Sequence, residues 1–272
     1  MLRAVITGAN TGVGRAIAIG LIARGDEVVL ACRSRDRGRE ALAALRALAP
    51  RGSIDLVQLD LADARSILAA AEHLATRPID LLINNAGVGG ARGSTRDGFE
   101  LAFGVNFLGH YLLTRTLLPA LRGAARIVHL GSGSHARAPR PDLRTVRGPT
   151  RSLTGVREYA ISKLCVMLFH HELARRLEGS PVISIAADPG DVASDAWRHL
   201  PSPIRAIWTR GMKAPEEGAR TPLFCALDPS ITSANGALYA ESQRVEPAPL
   251  ALDRALAREL WDASAAWTGL AP

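Results

Sequence analysis

Long apolar runs are missing from this chain. None reaches the roughly 18 residues that a membrane-crossing helix needs, so no membrane span is expected. The opening stretch, Leu2-Arg3-Ala4-Val5-Ile6, enters an apolar segment with neither a charged leader nor a small-residue cleavage site, and secretion is not expected. Cysteine is scarce. Cys32, Cys165 and Cys225 are odd in number, far apart and without Cys-x-x-Cys spacing, which argues against a disulfide framework or a bound metal. Cytoplasmic location is the expectation. Lysine is almost absent: all but Lys163 and Lys213 of the 33 basic residues are arginine. The formal charge of +7 raises nucleic acid as a partner, but the arginines are scattered. Their densest group, Arg33, Arg35, Arg37 and Arg39, is interrupted by Asp36 and Glu40, as on a solvated surface. No nucleic-acid partner is expected.

What is present is a regular alternation. Short apolar runs at Ala4–Thr7, Glu27–Ala31, Ile54–Gln58, Leu81–Ile83, Arg126–Leu130 and Val182–Ala187 read as strands. Helical patterns lie between them near 13–24, 37–48, 64–75, 98–121 and 158–178. A seventh strand is expected at Ala237–Ala240 and a last helix near 251–266. Strands that alternate with helices, without polar alternation of their own, fit a parallel sheet covered on both faces. The expected architecture is α/β: a Rossmann-type, doubly wound, seven-stranded parallel sheet. No repeat or low-complexity linker divides the 272 residues, so one domain is expected. Two segments break the rhythm, 135–157 and 190–215, the second carrying Trp197, Trp208, Pro201 and Pro203. Both follow predicted strand ends, where such sheets bind ligands, and 190–215 reads as a substrate-covering loop.

Three clusters carry chemistry. Thr7-Gly8-Ala9-Asn10-Thr11-Gly12-Val13-Gly14 lies between the first strand and an amphipathic helix. Glycines there let the backbone approach a pyrophosphate at the helix N-terminus. At the end of the second strand stand Cys32 and Arg33, where an NAD site places an acidic residue for the ribose; an arginine fork suits a 2′-phosphate and favours NADP over NAD. Finally, Tyr159 and Lys163 are four residues apart on a predicted helix and so share a face. A neighbouring ammonium favours the phenolate and is expected to lower the tyrosine pKa, making a proton donor and acceptor. His110 and Cys165 read as core residues on apolar helix faces.

These motifs resemble the short-chain dehydrogenase/reductase family in order and spacing. Asp60-Leu61, Asn84-Asn85-Ala86-Gly87, Asn106, Ser132 and Pro189-Gly190-Asp191-Val192-Ala193-Ser194 complete the pattern. The stretches around Asn106, Ser132-Gly133-Ser134-His135, Tyr159–Leu164, Glu172–Leu177 and Leu260–Ser264 are similar to the retinol-dehydrogenase-like branch, without the hydrophobic N-terminal anchor of many animal members. The resemblance implies that Gly8, Asn10, Thr11, Gly12 and Val13 cradle the cofactor phosphates and ribose. It implies that Asp60 and Leu61 hold the adenine and that Asn85, Ala86 and Gly87 line the cleft, with Asn84 bracing the sheet. Val192 would bond the nicotinamide amide, and Ser194 replaces a threonine common there. Asn106, Ser132, Tyr159 and Lys163 would form the catalytic group. The implied activity is NADP(H)-dependent hydride transfer to or from a carbonyl or alcohol of a lipophilic small molecule, retinoid-like or a polycyclic secondary metabolite. A non-redox cyclase or epimerase and a dinucleotide-sensing regulator are the alternatives. The helices near 98–121 and 158–178 often form a dimer surface in this family, which leaves a homodimer open.

Overall fold

In a computed structural model, residues 1–48, 53–193 and 210–272 are described. The first half runs β1 (Arg3–Thr7), α1 (Gly12–Ala23), β2 (Glu27–Cys32), α2 (Arg35–Arg46), β3 (Ile54–Gln58), α3 (Ala64–Leu74) and β4 (Ile79–Asn84). A π-helical turn at Phe103–Leu108 leads into α4 (Gly109–Leu117), then β5 (Leu121–Leu130), α5 (Val156–Arg176) and β6 (Ile183–Asp188). The chain continues with α6 (Pro215–Gly218), α7 (Arg220–Leu227), β7 (Leu238–Ala240), β8 (Gln243–Val245) and α8 (Arg254–Thr268).

The sheet order is β3-β2-β1-β4-β5-β6-β7-β8. Every pairing is parallel except β7 with β8. The expected seven strands are therefore eight, because a short antiparallel edge strand folds back after β7. Every residue of β1 and β2 is buried, as a sheet covered on both faces requires. Alternate strand residues feed two cores. Val5, Val29, Leu82 and Ile127 pack with α3, α4, α5 and α8, while Ala4, Ile6, Val28 and Ile83 pack with α1, α2 and α7. The order reverses between β1 and β4, which opens a crevice at the carboxyl ends of the strands.

The helix expected from 98 to 121 is broken at both ends. Phe99 and Glu100 lie in bridges, Phe99 opposite Arg147, and Leu121 already belongs to β5. The irregular segment 135–157 is strapped to this region. Glu100 N–H donates to Val146 C=O, Thr150 N–H to Gly93 C=O, and the Thr150 hydroxyl to the buried Glu100 carboxylate at 2.5 Å. At its end, Ser152 and Glu158 hydrogen-bond to each other, fixing the first turn of α5. That strap sets the height of Tyr159 in the cleft.

Candidate active site

The crevice is a cleft of about 490 Å³, within the size range of small-molecule sites. Its floor comes from the turn after β1. Gly12 has φ +55°, a conformation that favours glycine, and a Cβ on Gly14 would lie 2.3 Å from Asn85 Nδ2. The turn and the end of β4 are thus in direct contact. Asn85 Nδ2 donates to Thr7 C=O at 2.7 Å, and the amides of Asn85 and Ala86 both donate to Thr7 Oγ1 at 2.9 Å. Gly8, Asn10, Thr11, Gly12 and Val13 line one wall; Asp60, Leu61, Asn85, Ala86 and Gly87 continue it. Asn84 points away from the cleft and braces α4 and β5 through Thr114 Oγ1 and His129.

A dinucleotide fits what these residues offer. The first turn of α1 carries no acidic residue, so its amide end is open to an anion. Arg33 lines the corner beside Ala31, as the sequence led us to expect, and Arg37 joins it there. Among the described residues neither guanidinium is in an ion pair. Arg37 is the first residue of this site that the sequence reading passed over; its place on the opening turn of α2, capped by Ser34, brings it back to the cleft. Cys32 is not part of the chemistry. Burial pushes its thiol up to about 11, with backbone hydrogen bonds from Asn10 and Ala9 opposing in part.

Ser132, Tyr159 and Lys163 converge at the other end of the cleft. Ser132 follows β5, and its hydroxyl hydrogen-bonds to Tyr159. Lys163 lies one turn along α5, buried, with its ammonium donating to Leu130 C=O at 2.8 Å. The expected lowering of the tyrosine pKa is not what the protein produces. Burial pushes Tyr159 up to about 12, the Ser132 hydrogen bond lowers it, and the carboxylates of Asp188 and Asp191 raise it further. Burial also lowers Lys163 to about 8. Both shifts have one origin: each charged form loses water in a closed site. Asn106 stands behind this group. Its Oδ1 accepts from Val88 N–H at 2.8 Å, and its Nδ2 donates to Val88 C=O and to Ser162 Oγ.

The described ends of segment 190–215 meet at the cleft mouth. Val192 bridges to Lys213, and Met212 packs against Tyr159. Arg137, also overlooked in the sequence, lines the mouth and donates to Ser134 Oγ at 3.2 Å. Ser194, Trp197, Pro201, Pro203 and Trp208 lie outside the described residues. Among those described, no group of acidic, histidine or cysteine side chains is arranged to hold a metal.

Known proteins match this chain across most of their length. The bovine protein named dehydrogenase/reductase SDR family member 13 (Bos taurus) is 41% identical over 280 residues, spanning 99% of this chain and 74% of that one. Mouse retinol dehydrogenase 11 (Mus musculus) is 40% identical, over 98% of this chain and 86% of its own. A crystal structure from Mycobacterium paratuberculosis superposes with TM-score 0.81 at 32% identity, covering 99% of this chain and 94% of that one. One from Beutenbergia cavernae, described as an NAD(P)-dependent gluconate 5-dehydrogenase with bound NADP, gives 0.67 at 29%, covering 88% and 94%. With residues 3–143 matching the family model for short chain dehydrogenases as well, the chain belongs to the short-chain dehydrogenase family.

Proposed function

We propose that this protein is an NADP(H)-dependent reductase that delivers hydride to the carbonyl of a lipophilic small molecule, retinoid-like or polycyclic, with the alcohol oxidation as its reverse. The observation that carries this reading is the convergence of Ser132, Tyr159 and Lys163 at one end of a cleft whose other end is a glycine turn flanked by Arg33 and Arg37. Gly8 through Val13 would hold the phosphates, Asp60 and Leu61 the adenine, and Val192 the nicotinamide amide. Ser194, which keeps the hydroxyl of the threonine it replaces, would serve beside it. Arg33 and Arg37 would take the 2′-phosphate.

When bound, the dinucleotide supplies or accepts the hydride. The chain handles the proton. Tyr159 keeps its proton at neutral pH, because its pKa is pushed up to about 12, and this suits a donor to a developing alkoxide. Ser132, within hydrogen-bond reach of the tyrosine hydroxyl, would polarise the substrate oxygen. Lys163 would restore the tyrosine proton, and Asn106 would hold the water that links Lys163 to solvent. Segment 190–215 would cover the substrate, with Met212 supplying an apolar contact beside Tyr159. The relatives' names as retinol dehydrogenases support a lipophilic substrate. Three buried free cysteines agree with a reducing, cytoplasmic setting. Among the described residues, no helix is long and apolar enough to cross a membrane.

The test is direct. Purified protein should enhance NADPH fluorescence on binding and consume NADPH with members of a panel of hydrophobic aldehydes and ketones. Tight NADPH binding with product formed and no NADPH consumed would support the cyclase or epimerase alternative. Binding with no turnover across the panel would support a dinucleotide sensor.

A further inference from the structure

His110 lies on α4, buried and outside the lining of the cleft, yet both of its ring nitrogens are engaged. Nδ1 is 2.9 Å from the main-chain carbonyl of Asn106, one turn earlier. Nε2 is 2.9 Å from Thr7 Oγ1 at the end of β1. These two contacts fix every proton. A carbonyl only accepts, so Nδ1 carries the hydrogen; the neutral ring then accepts at Nε2, and the Thr7 hydroxyl donates to it at 2.9 Å in preference to the Ile83 carbonyl at 3.4 Å. The Thr7 oxygen is left to accept, and it does so from the amides of Asn85 and Ala86. The ring is held neutral, its pKa lowered to about 4 by burial, so this polarity persists at working pH.

We infer that His110 is a positioning residue that couples the two halves of the active site. Through Nδ1–H it holds the π-helical turn that carries Asn106, whose side chain is bonded to Val88 and to Ser162, the neighbour of Lys163. Through Nε2 it sets the Thr7 hydroxyl so that it receives Asn85 and Ala86, the strand end that lines the cofactor cleft. One rigid ring therefore spans the proton-handling turn and the cofactor floor. Gly109, the first residue of α4 after the turn, packs closely enough that a Cβ there would lie 2.5 Å from Leu61 C=O on the wall assigned to the adenine.

The inference rests on the proposed reductase reading, and its test separates the two. The amide nitrogen of asparagine, a donor, can reach the place of Nδ1–H, and the amide oxygen of glutamine, an acceptor, the place of Nε2. His110→Asn keeps the link to Asn106 and loses Thr7; His110→Gln does the reverse. Expected with NADPH and an accepted carbonyl: H110Q lowers kcat about 10-fold with the KM for NADPH near wild type, because the Asn106 turn is displaced by a fraction of an ångström. H110N raises the Kd and KM for NADPH several-fold with kcat largely kept. Equal losses of kcat and cofactor affinity in both variants, in proportion to a lowered Tm, would overturn the inference in favour of simple core packing, as would two variants indistinguishable from wild type. Should the wild type bind NADPH but reduce nothing, the reductase reading fails, while the opposite effects of H110N and H110Q on NADPH Kd still decide the coupling.

Discussion

Lys163 holds its ammonium 5.7 Å from the centre of the Tyr159 ring, one turn away on the same face of α5. The amine is directed to the Leu130 carbonyl rather than to the phenol oxygen, and burial sets its pKa near 8. If Lys163 returns the proton to Tyr159, reduction needs the ammonium form. The rate of reduction should be flat below about pH 8 and fall with rising pH above it, approaching tenfold per unit. Lys163→Arg, whose guanidinium keeps its charge but releases no proton, should lower kcat at every pH and remove that limb. A pH profile of kcat from 6 to 10 for both proteins checks this.

Arg33 and Arg37 should decide the cofactor. Charge-assisted hydrogen bonds to a phosphate contribute about 1.5–3 kcal/mol each. Arg33→Ala or Arg37→Ala should therefore raise the KM for NADPH roughly 10- to 100-fold and leave that for NADH within a factor of about two. Steady-state kinetics with both nucleotides measure the ratio. An equal loss for NADPH and NADH would place the arginines outside the 2′-phosphate site.

Acid should unfold this protein through its histidines. His110 and His171 are lowered to about 4, His129 to about 3, and His170 lies well below its ordinary value; burial is the largest cause in each. In the unfolded chain they titrate near 6.5. The folded state thus binds fewer protons between those values, and stability present above pH 6.5 is lost as pH falls. Each histidine contributes about 1.4 kcal/mol per pH unit in that window, so four together reach at most about 5.5 kcal/mol per unit. Urea midpoints should already drop between pH 6.5 and 5.5. Unchanged midpoints down to pH 4.5 would contradict the assignment.

Trp261 ties the C-terminal helix to the body. Its ring packs edge-on against Tyr111 at 5.3 Å between the guanidinium groups of Arg115 and Arg176, at 4.3 and 4.2 Å. α8 thereby occupies the groove between α4 and α5, the pair on which the sequence left a homodimer open. Trp261→Ala should lower stability by about 3–5 kcal/mol. Light scattering should find the intact protein monomeric, since a dimer through those helices requires α8 to move. A stable dimer in the intact protein would show that another surface serves.

Most of the fold was readable because its signals are local. β1, β2 and β3 appear within a residue of their expected bounds, since continuous apolar runs between turn residues have few other interpretations. β8 was not readable: Gln243, Arg244 and Val245 form three mostly exposed residues whose pairing depends on the turn at Glu241 and Ser242. α7 was hidden by the aperiodic stretch before it, although Leu223 packs directly over Gly20 of α1. In the site, residue identities gave Ser132, Tyr159 and Lys163 their place, but not the direction of the tyrosine shift, which depends on how completely the cleft closes over it. His110 passed for a core residue. Its four-residue spacing from Asn106 was the available clue, while the partner Thr7 lies 103 residues away in sequence.

The phenol of Tyr159 is the group on which the proposed chemistry turns, and Tyr159→Phe removes only its oxygen. Single-turnover reduction by prebound NADPH should fall at least 1000-fold in this variant, with the NADPH Kd unchanged within about twofold. Retention of more than a tenth of the wild-type rate would contradict the account.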